Sequence, residues 1–87
     1  MIDFQKLVKD ELAKARKKHG PMLSVHEGYA VILEELDEVW EEVKKKSSNR
    51  NHGDTLAELV QIAACTQKMA EDVVIPLLEK ESVKNKS

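Results

Sequence analysis

The chain is short of the residues that build disulfide-bonded, β-rich or membrane-spanning proteins. It has one cysteine, three glycines, two prolines and three aromatics, Phe4, Tyr29 and Trp40. A lone cysteine excludes an intramolecular disulfide. Cys65, in Ala63-Ala64-Cys65, reads as a small apolar packing residue without the surroundings of a catalytic thiol. So little Gly and Pro leaves no material for the turns of a many-stranded β protein. No apolar run approaches the about 20 residues of a membrane span. Met1-Ile2-Asp3-Phe4 has neither a basic nor an apolar leader region, so no signal peptide is expected and a cytoplasmic protein is the default. Charge of neither sign dominates: 14 Lys and Arg face 16 Asp and Glu, a net of −2. That balance argues against a general nucleic-acid binder. No Gly-rich phosphate loop occurs, which excludes the P-loop route to nucleotide chemistry.

What is present is helical. Leu, Glu, Lys, Ala and Val dominate, and 87 residues make one domain, 1–87. The expected fold class is all-α, an antiparallel helical bundle of three main helices per chain. A first helix is expected over residues 3–19, where Phe4, Leu7, Val8, Leu12 and Ala15 recur at helical spacing before the Gly20-Pro21 stop. A second, over 24–46, starts at the capping box Ser24-Val25-His26-Glu27. Its apolar stripe is Val25, Tyr29, Ile32, Leu33, Leu36, Val39, Trp40 and Val43, which makes Tyr29 and Trp40 expected core residues. A third, over 54–80, is apolar on several sides, so it must be buried on several sides. In so short a chain that implies a partner copy, a homo-oligomer. Pro76 should kink or end this helix, and the polar tail from Glu79 should fray.

The chemistry-bearing feature is a pair of acidic clusters. The first is Glu34-Glu35-Leu36-Asp37-Glu38 and the second is Glu58-Leu59-Val60-Gln61. Glu35, Glu38 and Glu42 flank one edge of the second helix's stripe, whereas Glu27, Glu34 and Glu41 lie nearly opposite it. Residues three apart on a helix share a face, so Glu35 and Glu38 can aim at one point, and a neighbouring helix can bring Glu58 there. Converging carboxylates repel unless a cation lies between them, which argues for a divalent metal site. Two plainer readings stand beside this one. Thr55-Leu56-Ala57-Glu58 also fits a capping box, with Asp54 an N-cap, and the first cluster also fits a solvated acidic face. Lys44, Lys45, Lys46 and Arg50, in the polar connection, suit either a helix end or phosphate oxygens.

The stretch from His26 to Trp40 together with Glu58-Leu59-Val60-Gln61-Ile62-Ala63-Ala64 resembles the MazG-like all-α nucleoside triphosphate pyrophosphohydrolases, the MazG and dimeric dUTPase superfamily. The resemblance covers residues 24 to about 72. It implies a bundle completed by a second subunit, Mg²⁺ as cofactor (Mn²⁺ as a substitute), and hydrolysis of a nucleoside triphosphate to monophosphate and pyrophosphate. Carried over by position, Glu35, Glu38, Glu58 and Gln61 are the metal positions, Glu38 and Glu34 the catalytic acids, and Lys44, Lys45, Lys46 and Arg50 the phosphate contacts. The chain departs from the pattern at Gln61, where the family has Asp. A carboxamide oxygen still ligates Mg²⁺ but brings no charge, so binding should weaken. The alternative function is therefore a non-catalytic helical homo-oligomer that retains the scaffold. A ferritin-like di-iron bundle needs Glu-x-x-His pairs, and the chain has none.

Overall fold

The computed structural model describes the backbone of residues 1–86 and the side-chain environments of residues 1–82. Helix α1 spans Phe4–Lys18. The Asp3 carboxylate accepts from the Lys6 amide at 3.2 Å, supplying a partner that a helix start otherwise lacks. α1 stops before Gly20-Pro21, but without a left-handed residue. His19 leaves in an extended conformation, and its amide returns to the Ala15 carbonyl. The Gly20 carbonyl is instead held by Lys68 Nζ at 2.8 Å.

Helix α2 spans Val25–Val43. Ser24 Oγ accepts from the Glu27 amide at 3.1 Å. Glu27 reaches back one residue further than the expected box and accepts from the Leu23 amide at 2.9 Å. α2 ends three residues early, leaving Lys44, Lys45 and Lys46 outside it. The cause is Glu42, which is only 7% exposed. It accepts from the Asn51 amide at 2.6 Å and from Lys45 Nζ at 2.8 Å. The Asn51 amide first, and Lys45 second, hold its carboxyl below the usual range. These contacts fold the chain back through a short 3₁₀ turn at Ser47–Asn49.

Helix α3 spans His52–Met69, continues through a wider π turn at Ala70–Val74, and becomes α4 over Ile75–Lys86. Its cap is Asn51, whose side chain accepts from the Asp54 amide at 3.1 Å. This corrects the expected N-cap at Asp54 and the capping box from Thr55 to Glu58. Thr55 lies inside the helix and its hydroxyl donates to the Asn51 carbonyl at 3.1 Å. Pro76 ends nothing. The π turn just before it opens the backbone where the proline ring would crowd a preceding carbonyl, and the helix goes on. The helix is described as far as Lys86; Ser87, the last residue of the tail expected to fray, lies outside the described residues.

α1 and α2 each pack on α3. The start of α2 meets the end of α3 at Gly28, where a Cβ would stand 2.6 Å from Met69 Cγ and Sδ. The end of α2 meets the start of α3 through Glu42 and Asn51. The core is small: Val8, Leu12, Val60 and Ala64, with Leu56 and Ala63 against it. Tyr29 and Trp40 are 65% and 58% exposed, which corrects their expected place in the core. Both lie on the flank of α2 beside the α3-facing side, and nothing among the described residues covers that flank. The radius of gyration, 15.9 Å, exceeds the roughly 12 Å of a compact domain of this length. No helix among the described residues is long and apolar enough to cross a membrane.

Candidate metal centre

Gly28 against Met69 and Glu42 against Asn51 fix the register of α2 on α3. In that register Glu35 and Glu38, one turn apart on α2, lie level with Glu58 on α3. One carboxylate oxygen from each of the three falls within 4.8 Å of the others. Glu35 and Glu58 are half-buried, and Glu38 stands at the solvent edge.

The electrostatics of the cluster are unfavourable without a counter-ion. The Glu35 carboxyl is pushed up to about 7, first by burial, then by the negative charge of Glu38 and by its contact with Glu58. Glu58 is raised as well, first through its hydrogen bond with Glu38, then by burial and by the charge of Glu38. Its Oε2 is buried with no hydrogen-bond partner. An orphaned buried carboxylate oxygen is costly unless something cationic meets it. Three carboxylates with one oxygen so placed fit a hard divalent ion, which takes oxygen ligands.

The other residues named from the sequence are distributed differently. Glu34 is exposed on the outer side of α2. Gln61, one turn beyond Glu58, turns its amide to α1, where Nε2 donates to Glu11 Oε1 at 2.6 Å. Lys44 pairs with Glu41 at 2.9 Å and Lys45 with Glu42 at 2.8 Å. Lys46 contributes its backbone carbonyl to the 3₁₀ turn, accepting from the Asn49 amide at 2.8 Å. Arg50 Nε donates to the Val43 carbonyl at 3.1 Å. The basic connection therefore closes the α2–α3 turn, and the ammonium groups of Lys44 and Lys45 already have acidic neighbours.

Sequence reasoning missed Glu11. It borders the α1 stripe beside Val8 and Leu12, the same edge position that singled out Glu35 and Glu38 on α2. It also missed the charged lock at the other end of α3. There Asp72 accepts from Arg16 Nη1 at 2.7 Å, the Met22 amide at 2.9 Å and Lys68 Nζ at 3.0 Å. Lys68 is only 5% exposed. Lys68 and Asp72 are four apart, a pattern that looks like an ordinary surface helix pair, and nothing local marks it as buried.

A cavity of about 250 Å³ lies beside Lys68 and the α1–α2 turn, lined also by His19, Met22, Glu27, Val31 and Cys65. Burial first, and then the negative charge of Glu35, pushes the Cys65 thiol up, which suits a packing residue better than a nucleophile. No known family, characterised protein or solved structure matches the chain.

Proposed function

We propose that the protein is a Mg²⁺-dependent nucleoside triphosphate pyrophosphohydrolase, converting a triphosphate and water to monophosphate and pyrophosphate. The observation that carries the proposal is the convergence of Glu35, Glu38 and Glu58 with one buried carboxylate oxygen left unpaired. Glu35, Glu38 and Glu58 would hold the ion, with Mn²⁺ able to replace it. When bound, Mg²⁺ neutralises charge on phosphate oxygens and makes a water more acidic. Glu38, the member of the cluster nearest solvent, accepts the proton of the attacking water at its carboxylate. Glu34, exposed one turn before it, adds negative charge from the outer side of α2. Lys44 contacts phosphate oxygens by exchanging its exposed pairing with Glu41, and Lys45, Lys46 and Arg50 add positive field from the turn.

The working form is an antiparallel helical bundle completed by a second copy. Its support is the uncovered flank of α2: Tyr29, Leu33, Leu36 and Trp40, exposed together. A contiguous apolar flank on so small a core is a self-association surface. The same flank favours a second reading, a helical homo-oligomer without catalysis, since association needs no acid at position 61.

Incubation with each nucleoside triphosphate and Mg²⁺ or Mn²⁺, with pyrophosphate and monophosphate measured, separates the two. Glu38→Gln should lower turnover by about 10²–10⁴-fold at unchanged helical content, the range for a lost general base. Equal turnover would remove Glu38 from the mechanism. Light scattering should find at least a dimer, and Trp40→Glu should reduce it to monomer. A wild-type monomer at micromolar concentration would sink the interface.

A further inference from the structure

We propose that the cavity beside Lys68 holds the base of the nucleotide substrate, and that Lys68 selects bases with a ring carbonyl over adenine. The inference rests on the hydrolase reading above and concerns the part of the substrate that the carboxylates do not touch. Its first support is placement. The start of α2 meets the end of α3 at Gly28 and Met69, and the end of α2 meets the start of α3 at Glu42 and Asn51. Val31 and Glu38 are seven residues apart on α2, and so are Cys65 and Glu58 on α3. Seven residues are two turns, which returns to the same face of a helix. Val31 and Cys65 line the cavity, whereas Glu38 and Glu58 belong to the carboxylate cluster. Cavity and cluster are therefore two stations on one α2–α3 seam, about 10 Å apart. The negative charge of Glu35 is felt at Cys65, as this order along the seam requires.

The second support is an unspent donor. An ammonium carries three N–H groups. Lys68 gives one to the Gly20 carbonyl at 2.8 Å and one to Asp72 Oδ2 at 3.0 Å. Among the described residues nothing accepts the third, although the Lys68 side chain is only 6% exposed. A buried donor without an acceptor calls for one. The other walls suit a flat ring: Met22 is buried, Val31 and Cys65 are half-buried, and His19 and Glu27 stand exposed at the rim. Apolar walls with a single oriented polar group are the ordinary make-up of a small-molecule pocket. At about 250 Å³ the cavity takes a base but not a whole nucleotide, so sugar and phosphates extend along the seam toward Glu35, Glu38 and Glu58. Uracil, thymine, cytosine and guanine each offer Lys68 a ring carbonyl. Adenine has none and leaves the donor unmet. A hydrogen bond to a charged group, when lost, costs about 10–100-fold in binding.

The test uses Cys65, the one cysteine of the chain, as a reporter inside the cavity. Its alkylation by iodoacetamide is timed on the full wild-type chain in Mg²⁺, with the non-hydrolysable α,β-imido triphosphates of uridine, cytidine, guanosine and adenosine, and with inorganic tripolyphosphate. At least one carbonyl-bearing analogue should slow labelling about tenfold, the adenosine analogue should need about 10–100 times the concentration for the same protection, and tripolyphosphate should leave the rate unchanged. The ¹⁵N resonance of Lys68 Nζ should move with the protecting analogue and stay put with tripolyphosphate. If calorimetry shows an analogue bound while Cys65 labels at full speed, the base lies elsewhere and the cavity assignment is overturned, with the hydrolase reading left standing. Equal protection by the adenosine analogue, or an unmoved Lys68 resonance, overturns the role of Lys68. If neither the analogues nor tripolyphosphate bind in Mg²⁺, the hydrolase reading falls and takes this inference with it.

Discussion

The two ends of α3 each bury acidic side chains, and they solve the problem oppositely. At the Asp72 end, every demand is met from within the chain. Burial alone would raise the Asp72 carboxyl, but Arg16, the Met22 amide and Lys68 together bring it down to about 2. Lys68 is satisfied in turn by the Gly20 carbonyl and Asp72, while Arg16 also binds Glu71 at 2.7 Å. At the Glu58 end, the neighbours of each acid are other acids, Glu35 is pushed up to about 7, and one oxygen has no partner. The first arrangement joins α1, the α1–α2 turn and the π turn into one unit. The second costs stability through mutual repulsion, which an ion bound as proposed above would relieve. Similar residues on one helix become a structural lock or an unpaired acidic cluster according to what the neighbouring helices contribute.

This contrast can be broken by exchanging acids for amides. Asp72→Asn should destabilise the fold by about 3 kcal/mol, because it leaves the buried Lys68 and the Arg16 charge without their partner. The melting temperature should drop by roughly 10 °C or more. A shift of only a degree or two would show that the lock is ornamental. Glu58→Gln should act in the other direction in metal-free buffer. Removing one of three mutually repelling charges within 4.8 Å should raise stability by about 1 kcal/mol, and it should abolish stabilisation by Mg²⁺. A destabilised, still Mg²⁺-responsive variant would contradict the assignment of Glu58.

The gentlest test is pH. Glu35 titrates higher in the fold than in the unfolded chain, where the carboxyl sits near 4.5. Its favourable contribution is therefore complete below about 4.5 and lost as pH rises through about 7. The melting temperature of the metal-free protein should fall across that interval, and Glu35→Gln or saturating Mg²⁺ should flatten the curve. Asp72 has the opposite sign. Its contribution is present above the ordinary carboxylate value of 3.8 and disappears as pH drops toward 2. A pH-independent melting curve from 4.5 to 7 would mean that the three acids do not share a site.

Much of the helical architecture was legible because its signals are local. Ser24 and Glu27 sit within one turn of each other; Ser24 caps as the spacing predicts, and Glu27 reaches back one residue further, to the Leu23 amide. The start of α3 was not legible in the same way. Asn51, Asp54 and Thr55 all suit a cap, and the choice falls to Asn51, whose backbone amide is held by Glu42 from nine residues away. Pro76 reads as a breaker in any window that contains it, and the π turn that accommodates it carries no sequence signature. Edge position along the α2 stripe pointed to Glu35 and Glu38. The same reasoning applied to α1 would have pointed to Glu11, but the partner it meets, Gln61, lies fifty positions on.

By itself the sequence determined that the chain is helical and where its helices can start. It also determined which acids border an apolar face, because periodicity and capping act over a turn or two and need no distant partner. Only the tertiary structure decided which of those acids are paired and which are not. Whether a buried carboxylate meets an ammonium, an amide or another carboxylate depends on the register of one helix against the next, and no short stretch of chain encodes that.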